Sequence, residues 1–211
     1  MSLTVEIANQ SFILHPSGAA FWQQQQMLLI ADVHLGKVSH FRKHGAAVPI
    51  HASFRNLEKL TQVVNDFSPK TICFLGDLFH SDLNQEWEDF TQWVHYTTGN
   101  IVLVAGNHDI IAATRYTDLD IEVIDDLTLE GFHLSHHPSD TQPLFNLAGH
   151  IHPGVRLQGV GRQTIKLPCF FRRKNQMILP AFGTFTGNYI LKPTEEDVVY
   201  AIVDQEVTKL H

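Results

Sequence analysis

Three continuous apolar runs constrain this chain most: Met27 to Ala31, Thr71 to Gly76 and Ile101 to Ala105. Alternation would mark strands with one wet face, whereas unbroken runs are expected of central strands covered on both faces. Between them the period changes. His51 to Phe67 repeats Phe54, Leu57, Leu60, Val64 and Phe67 at helical steps until Pro69 stops it. Asn84 to Thr97 reads as a second amphipathic helix, with Trp87, Phe90 and Val94 inward and Glu86, Glu88 and Asp89 in the first turn, where the helix dipole favours acids. Gly99-Asn100 closes it. The order is βαβαβ, the signature of an α/β fold on a parallel sheet.

Val5 to Ile7 and Ser11 to Leu14 read as an opening hairpin turning at Asn9-Gln10, and Gln23 to Gln26 as a loop. LGKVSHFRKHGAAVP, with Lys37, Arg42, Lys43 and two histidines, reads as a short helix and then a loop. The second half is β-rich: Glu122 to Ile124, Leu127 to Ser135, Leu144 to Leu147, Thr164 to Phe171, Gln176 to Phe182, Val198 to Val203 and Val207 to Leu210.

The strand ends carry the chemistry. The three buried runs finish in Asp32-Val33-His34, Gly76-Asp77 and Gly106-Asn107-His108-Asp109, and later strands finish in His136-His137 and Gly149-His150-Ile151-His152. In open α/β sheets ligands bind at the carboxyl ends of the strands. Gly76 lets the chain turn so that Asp77 reaches that edge, and the D-x-H spacing predicts that Asp32 and His34 share one side of their strand. Asp32, His34, Asp77, Asn107, His136, His150 and His152 give two carboxylates, an amide oxygen and four imidazoles. That mixture suits manganese, iron, zinc or cobalt better than magnesium. His137 is an alternative to His136. Lone histidines such as His15, His95, His133 and His211 are read as surface or core residues.

These five motifs, in this order, resemble the pattern D-x-H, G-D, G-N-H-D/E, H and G-H-x-H of the calcineurin-like metallophosphoesterases. The resemblance implies an α/β sandwich of two mixed sheets flanked by helices. It implies two divalent ions, manganese leading, one held by Asp32, His34, Asp77 and His152 and the other by Asp77, Asn107, His136 and His150. The activity implied is phosphodiester hydrolysis by a metal-bridging hydroxide, with His108 contacting the phosphate or protonating the leaving oxygen. Within the family, ADVHLGK and GDLFH look most like two DNA-processing groups, the bacterial DNA-ligase-associated phosphoesterases and the double-strand-break repair nucleases, and the first is the more similar in length and in the run from Ala31 to Pro49. Phosphatases of the family usually read G-D-x-x-D, and their second Asp orients the histidine of G-N-H. Here His80 takes that place, and it is read as a second imidazole beside the phosphate.

At 211 residues the chain has room for one domain spanning 1–211. No apolar run nears the roughly 18 residues of a membrane span, and MSLTVEIANQ lacks a secretory pattern, so a cytoplasmic protein is expected. Cys73 and Cys169, inside apolar runs, read as buried thiols. A net charge of -7 argues against non-specific coating of nucleic acid, yet Thr141 to Thr194 holds seven basic residues (Arg156, Arg162, Lys166, Arg172, Arg173, Lys174 and Lys192) and no acid. Two arrangements are expected of such a block, one positive face that would suit a DNA strand or basic strand ends spread over several surfaces. The substrate expected is DNA or another phosphodiester, with a functional link to a DNA ligase or helicase and a role in repair. The alternatives are a hydrolase of small phosphate esters or nucleotides, and a non-catalytic interaction module.

Overall fold

The structure, a computed structural model, describes residues 1–37, 54–80, 85–140, 143–159, 161 and 163–210. The basic run containing Arg42 and Lys43, the start of the helix at His51, and Asn84, Arg162 and His211 lie outside the described residues. The first sheet has seven strands in sequence order: β1 (Leu3–Ile7), β2 (Gln10–Leu14), β3 (Ala20–Trp22), β4 (Met27–Ile30), β5 (Thr71–Leu75), β6 (Asn100–Val104) and β7 (Ile121–Ile124). Pairing is antiparallel from β1 to β4 and parallel from β4 to β7. The helices α1 (Phe54–Phe67), α2 (Gln85–Tyr96) and α3 (Ala113–Thr117) follow β4, β5 and β6, giving the crossovers that parallel neighbours need.

The second sheet contains β8 (Asp126–Leu129), β9 (Phe132–Ser135), β10 (Phe145–Ala148), β11 (Pro153–Gln158), β12 (Thr164–Arg173), β13 (Gln176–Ile178), β14 (Tyr189–Ile190), β15 (Val198–Val203) and β16 (Glu206–Lys209). Its order is β14-β11-β12-β13-β10-β9-β8, with β15 joining β12 and β16 joining β15. Both sheets are mixed, since β9, β10 and β13 run parallel and β11, β12 and β15 antiparallel.

The unbroken apolar runs have a clear cause. Leu29, Cys73, Leu75, Val102 and Val104 face Phe132, Leu134, Leu147 and Met177 of the second sheet. Their neighbours Leu28, Ile30, Ile72, Phe74, Ile101 and Leu103 face Leu57, Leu60, Val63 and Val64 of α1 and Phe90 and Trp93 of α2. A strand between two apolar layers cannot alternate. On β11, β12 and β15 of the second sheet, Val155, Leu167, Cys169, Phe171, Val199 and Ala201 form a third apolar cluster. Both cysteines are free and buried. No helix among the described residues is long and apolar enough to cross a membrane.

Local expectations need correction where short-range chemistry misleads. The first hairpin turns at Ala8-Asn9, both at positive φ, and Gln10 already belongs to β2. Leu127 to Ser135 is two strands, because Glu130-Gly131 adopts positive φ and folds the run back on itself. The run from Gln176 stops pairing at Ile178, two residues before Pro180. Asn100 begins β6 instead of ending α2. On α1, Phe54 is 43% exposed while Asn56 is buried. Asn56 bonds the Val33 carbonyl and the Thr184 amide, so a polar side chain takes a core position by tying two loops together.

Candidate metal centre

The carboxyl ends of β4, β5, β6, β9 and β10 meet where the two sheets come together, and all seven expected ligand residues lie in the loops that leave them. After β4 and β5 the chain remains zipped by backbone bonds: Asp32 N to Gly76 O (3.2 Å), His34 N to Asp77 O (2.9 Å) and Leu35 N to Leu78 O (2.9 Å). Strand parity does not place Asp32 and His34. Both are left-handed, at φ 55° and 52°, and so are Asp77 (51°), His150 (67°) and His152 (51°). Such backbone costs about 1–3 kcal/mol per non-glycine residue and persists only where surrounding contacts over-determine it. Here it swings successive side chains off their strands into a common space.

Two clusters of lone-pair donors result. In the first, His152 Nε2 lies 3.3 Å from Asp32 Oδ1 and 3.2 Å from His34 Nε2. His34 Nε2 in turn faces Asp77 Oδ2 at 3.8 Å. Asp32 is fully buried, and both its oxygens accept from the His150 amide, at 3.1 and 2.9 Å. In the second cluster His136 donates Nδ1–H to the Leu75 carbonyl (3.0 Å), so in the neutral ring Nε2 is a lone pair. That lone pair points at Asp77 Oδ1 (3.4 Å), Asn107 Oδ1 (3.0 Å) and His150 Nδ1 (3.1 Å). The Asp77 and Asn107 oxygens are acceptors facing that lone pair, and at these distances such groups repel unless a cation sits among them; His150 Nδ1 joins them when its ring carries the proton on Nε2. Burial lowers the His150 pKa and, with Lys37 and the neighbouring histidines adding to it, pushes that of His34 down to about 2, so both rings are neutral, the form that binds metal. The donor set therefore fits divalent ions.

Asp77 belongs to both clusters, and Asp32, Asp77 and His136 bring their ligand atoms within 4.8 Å of one another. His137 also lies near, its ring 4.1 Å from that of His150. It is exposed, however, and the grouping it forms with His136 and His150 contains no carboxylate. Close packing leaves no room for side chains at several glycines of these loops, Gly76, Gly106, Gly149 and Gly183 among them. A Cβ on Gly76, at φ 80°, would collide with the His136 imidazole, and one on Gly149 would lie 2.6 Å from Asp32 Oδ2.

His80 and His108 stand beside the first cluster. Their ring centroids are 5.0 Å apart, and they lie 5.5 and 5.6 Å from that of His34. No acid at position 80 is needed to set the His108 backbone, because its amide donates to Asp77 Oδ1 at 2.9 Å. Asp109 had no role in the motif pattern. Its carboxylate accepts from the amides of Asp77 (2.8 Å), Phe79 (3.2 Å) and Gly106 (2.9 Å), locking the Gly-Asn-His-Asp turn to the loop carrying Asp77 and His80. Burial raises its pKa to about 6 against the pull of those amides. Glu86, expected on a dipole-favoured turn, is buried and takes the Gly36 amide at 2.6 Å, bracing the loop after His34. Half-buried Lys37 sits in the field of Asp77 and Asp32, and burial lowers its pKa.

The basic residues of the second half do not form one face. Arg172 bonds the Glu6 carbonyl (3.3 Å) and Arg173 pairs with Asp197 (3.9 Å), and across β13 they lie level with Leu147 and Asn146 of β10. Lys166 and Arg172 are six residues apart on one extended strand, roughly 20 Å, so they stand at well separated points along it.

A model of the calcineurin-like phosphoesterase family matches residues 26–169. Among solved structures, the nuclease MPE of Pseudomonas putida is 28% identical over 100% of both chains, with a TM-score of 0.81. A protein of unknown function from Aquifex aeolicus is 19% identical, covering 60% of this chain and 77% of its own at a TM-score of 0.41. A predicted phosphoesterase from Streptococcus pneumoniae TIGR4 is 14% identical, covering 84% of this chain and 83% of its own at a TM-score of 0.31. A comparison with curated proteins gives no match.

Proposed function

Given that this chain belongs to the calcineurin-like phosphoesterase family, whose members hydrolyse phosphoesters with divalent metal ions, we propose that it is a phosphodiesterase that cuts DNA, acting in DNA repair in the cytoplasm. The observation that carries this is Asp77, whose two oxygens face two separate clusters of imidazole and oxygen donors. Asp32, His34, Asp77 and His152 would hold one ion and Asp77, Asn107, His136 and His150 the other, with manganese the leading candidate for this donor mixture. When bound, such a pair lowers the pKa of water and offsets the charge of a phosphoryl group in an in-line displacement. The protein's own part is to hold the ligands rigidly, through the Asp32, His136 and Asp109 hydrogen bonds, and to flank the phosphate with imidazoles. His108 and His80 are the groups for a non-bridging oxygen and the leaving oxygen. Lys37 adds a cation near His34, Asp77 and Asp32.

Similarity over the whole length to a chain described as a nuclease supports a polynucleotide substrate over a small ester. Assay of the purified protein with manganese on bis-p-nitrophenyl phosphate, p-nitrophenyl phosphate and single-stranded DNA in parallel tests this. Turnover of the diester and the strand in preference to the monoester is expected. Hydrolysis confined to the monoester would contradict it.

A further inference from the structure

The strand that leaves the metal centre carries a second feature. β11 starts at Pro153, directly after His152, and pairs antiparallel with β12 so that Arg156 lies opposite Lys166. On its other side β11 pairs parallel with β14, Gly154 opposite Ile190, and the Leu191 amide continues that pairing to the Gly154 carbonyl at 2.9 Å. Two residues beyond Ile190, past the end of β14, Lys192 lines the same cleft as Arg156. Side chains alternate along each strand. Val155 and Leu167 are buried in the third apolar cluster, with Leu157 and Leu191 against it, so Arg156 and Lys166 turn to the opposite, exposed face, and Lys192 is exposed too. Contact between Gly154 and Ile190 marks the same face, a Cβ at the glycine falling 3.2 Å from Ile190 Cδ1. Arg156 and Lys166 thus stand side by side on adjacent strands, about 4.8 Å apart, with Lys192 beside Arg156 just past the end of β14, making a row of three cations.

Like charges directly opposite one another on a sheet are destabilising. Among the described residues no ion pair involves any of the three. Arg156 and Lys192 also line a cleft of about 460 Å³ with Ile190. From His152 to Arg156 is four residues, roughly 13 Å of extended chain, so an anion in the row lies within a few nucleotides of one in the metal centre. We propose that Lys192, Arg156 and Lys166 clamp the backbone phosphates of a single DNA strand flanking the diester to be cut. The inference rests on the phosphodiesterase reading for its substrate, and it replaces the single basic face, one of the two arrangements expected from the sequence.

The test compares the wild type with the triple variant R156Q/K166Q/K192Q, and with K70Q/K174Q/K209Q as a charge-matched control at exposed positions away from the row. Binding of a fluorescein-labelled single strand is read by anisotropy in EDTA, where no diester is cut, over a salt series. The row variant should bind at least about tenfold more weakly, and its log–log salt slope should fall by about 2, the release expected for three lost phosphate contacts on a single strand. Its melting temperature should not fall, since repulsion is removed. With manganese, its KM for the strand should rise, whereas bis-p-nitrophenyl phosphate, lacking flanking phosphates, should show no such penalty. Binding within twofold of wild type, or an equal loss in the control, overturns the clamp while diester turnover stands. Absent diester turnover with salt-dependent binding that only the row variant loses overturns the phosphodiesterase reading and leaves the clamp.

Discussion

Replacing Asp77 with asparagine is expected to lower phosphodiester turnover by about 10³-fold and to leave the protein folded with one bound ion in place of two. The amide has a preferred orientation. Oδ1 accepts the His108 N–H at 2.9 Å, so the asparagine oxygen belongs there and the NH₂ falls where Oδ2 faces His34 Nε2. That puts a donor in the first cluster where a lone pair is required, while the second keeps an oxygen beside His136. Losing one Lewis acid and the bridging charge removes several kcal/mol of transition-state stabilisation, and at 1.36 kcal/mol per decade roughly 4 kcal/mol is the thousandfold expected. In chelator the variant should melt no lower than wild type, because one of two neighbouring buried carboxylates has been neutralised. Metal content, melting temperature and turnover on bis-p-nitrophenyl phosphate check this together. Wild-type turnover in a fully loaded variant would contradict the bridging role.

His80→Ala is expected to lower turnover by roughly 10², the usual range for a lost acid or base, without losing either ion. His80 is half-buried, its amide donates to the Leu35 carbonyl at 2.8 Å, and its ring packs against those of His108 and His34. It belongs to neither donor cluster. A diester carries one fewer negative charge than a monoester dianion, so a site with two imidazoles and no extra acid suits it. The loss should fall on kcat more than on KM, with metal content unchanged. A loss below about threefold, or release of an ion, would remove His80 from the catalytic groups.

Much of this architecture was legible because burial on two faces leaves unbroken apolar runs, and because the polar groups that interrupt them cluster at carboxyl ends. Asp32, Asp77 and Asn107 could be placed on one sheet edge from that pattern alone. The left-handed backbone at Asp32 and His34 was not legible: D-x-H looks the same on a strand as in a loop. β3 and β11 were missed for a related reason. β3 is three residues long and follows Pro16 and Gly18, while β11 opens on Pro153-Gly154, and such residues usually signal turns. Asp109 and Glu86 were visible as acids, but their work is to accept loop amides across distances in sequence that no local period reports. Net charge along the chain was equally blind to direction. The basic residues of β12 look like one block in sequence and lie at opposite ends of a long strand.

Whether Asp77 joins two metal sites can be seen in the anomalous scattering of crystals grown with manganese. Two peaks are predicted roughly 3.5–4 Å apart with Asp77 between them. One should lie beside Asp32, His34 and His152, the other beside Asn107, His136 and His150. A single peak, or a second peak seated on His137 and out of reach of Asp77, would contradict the account.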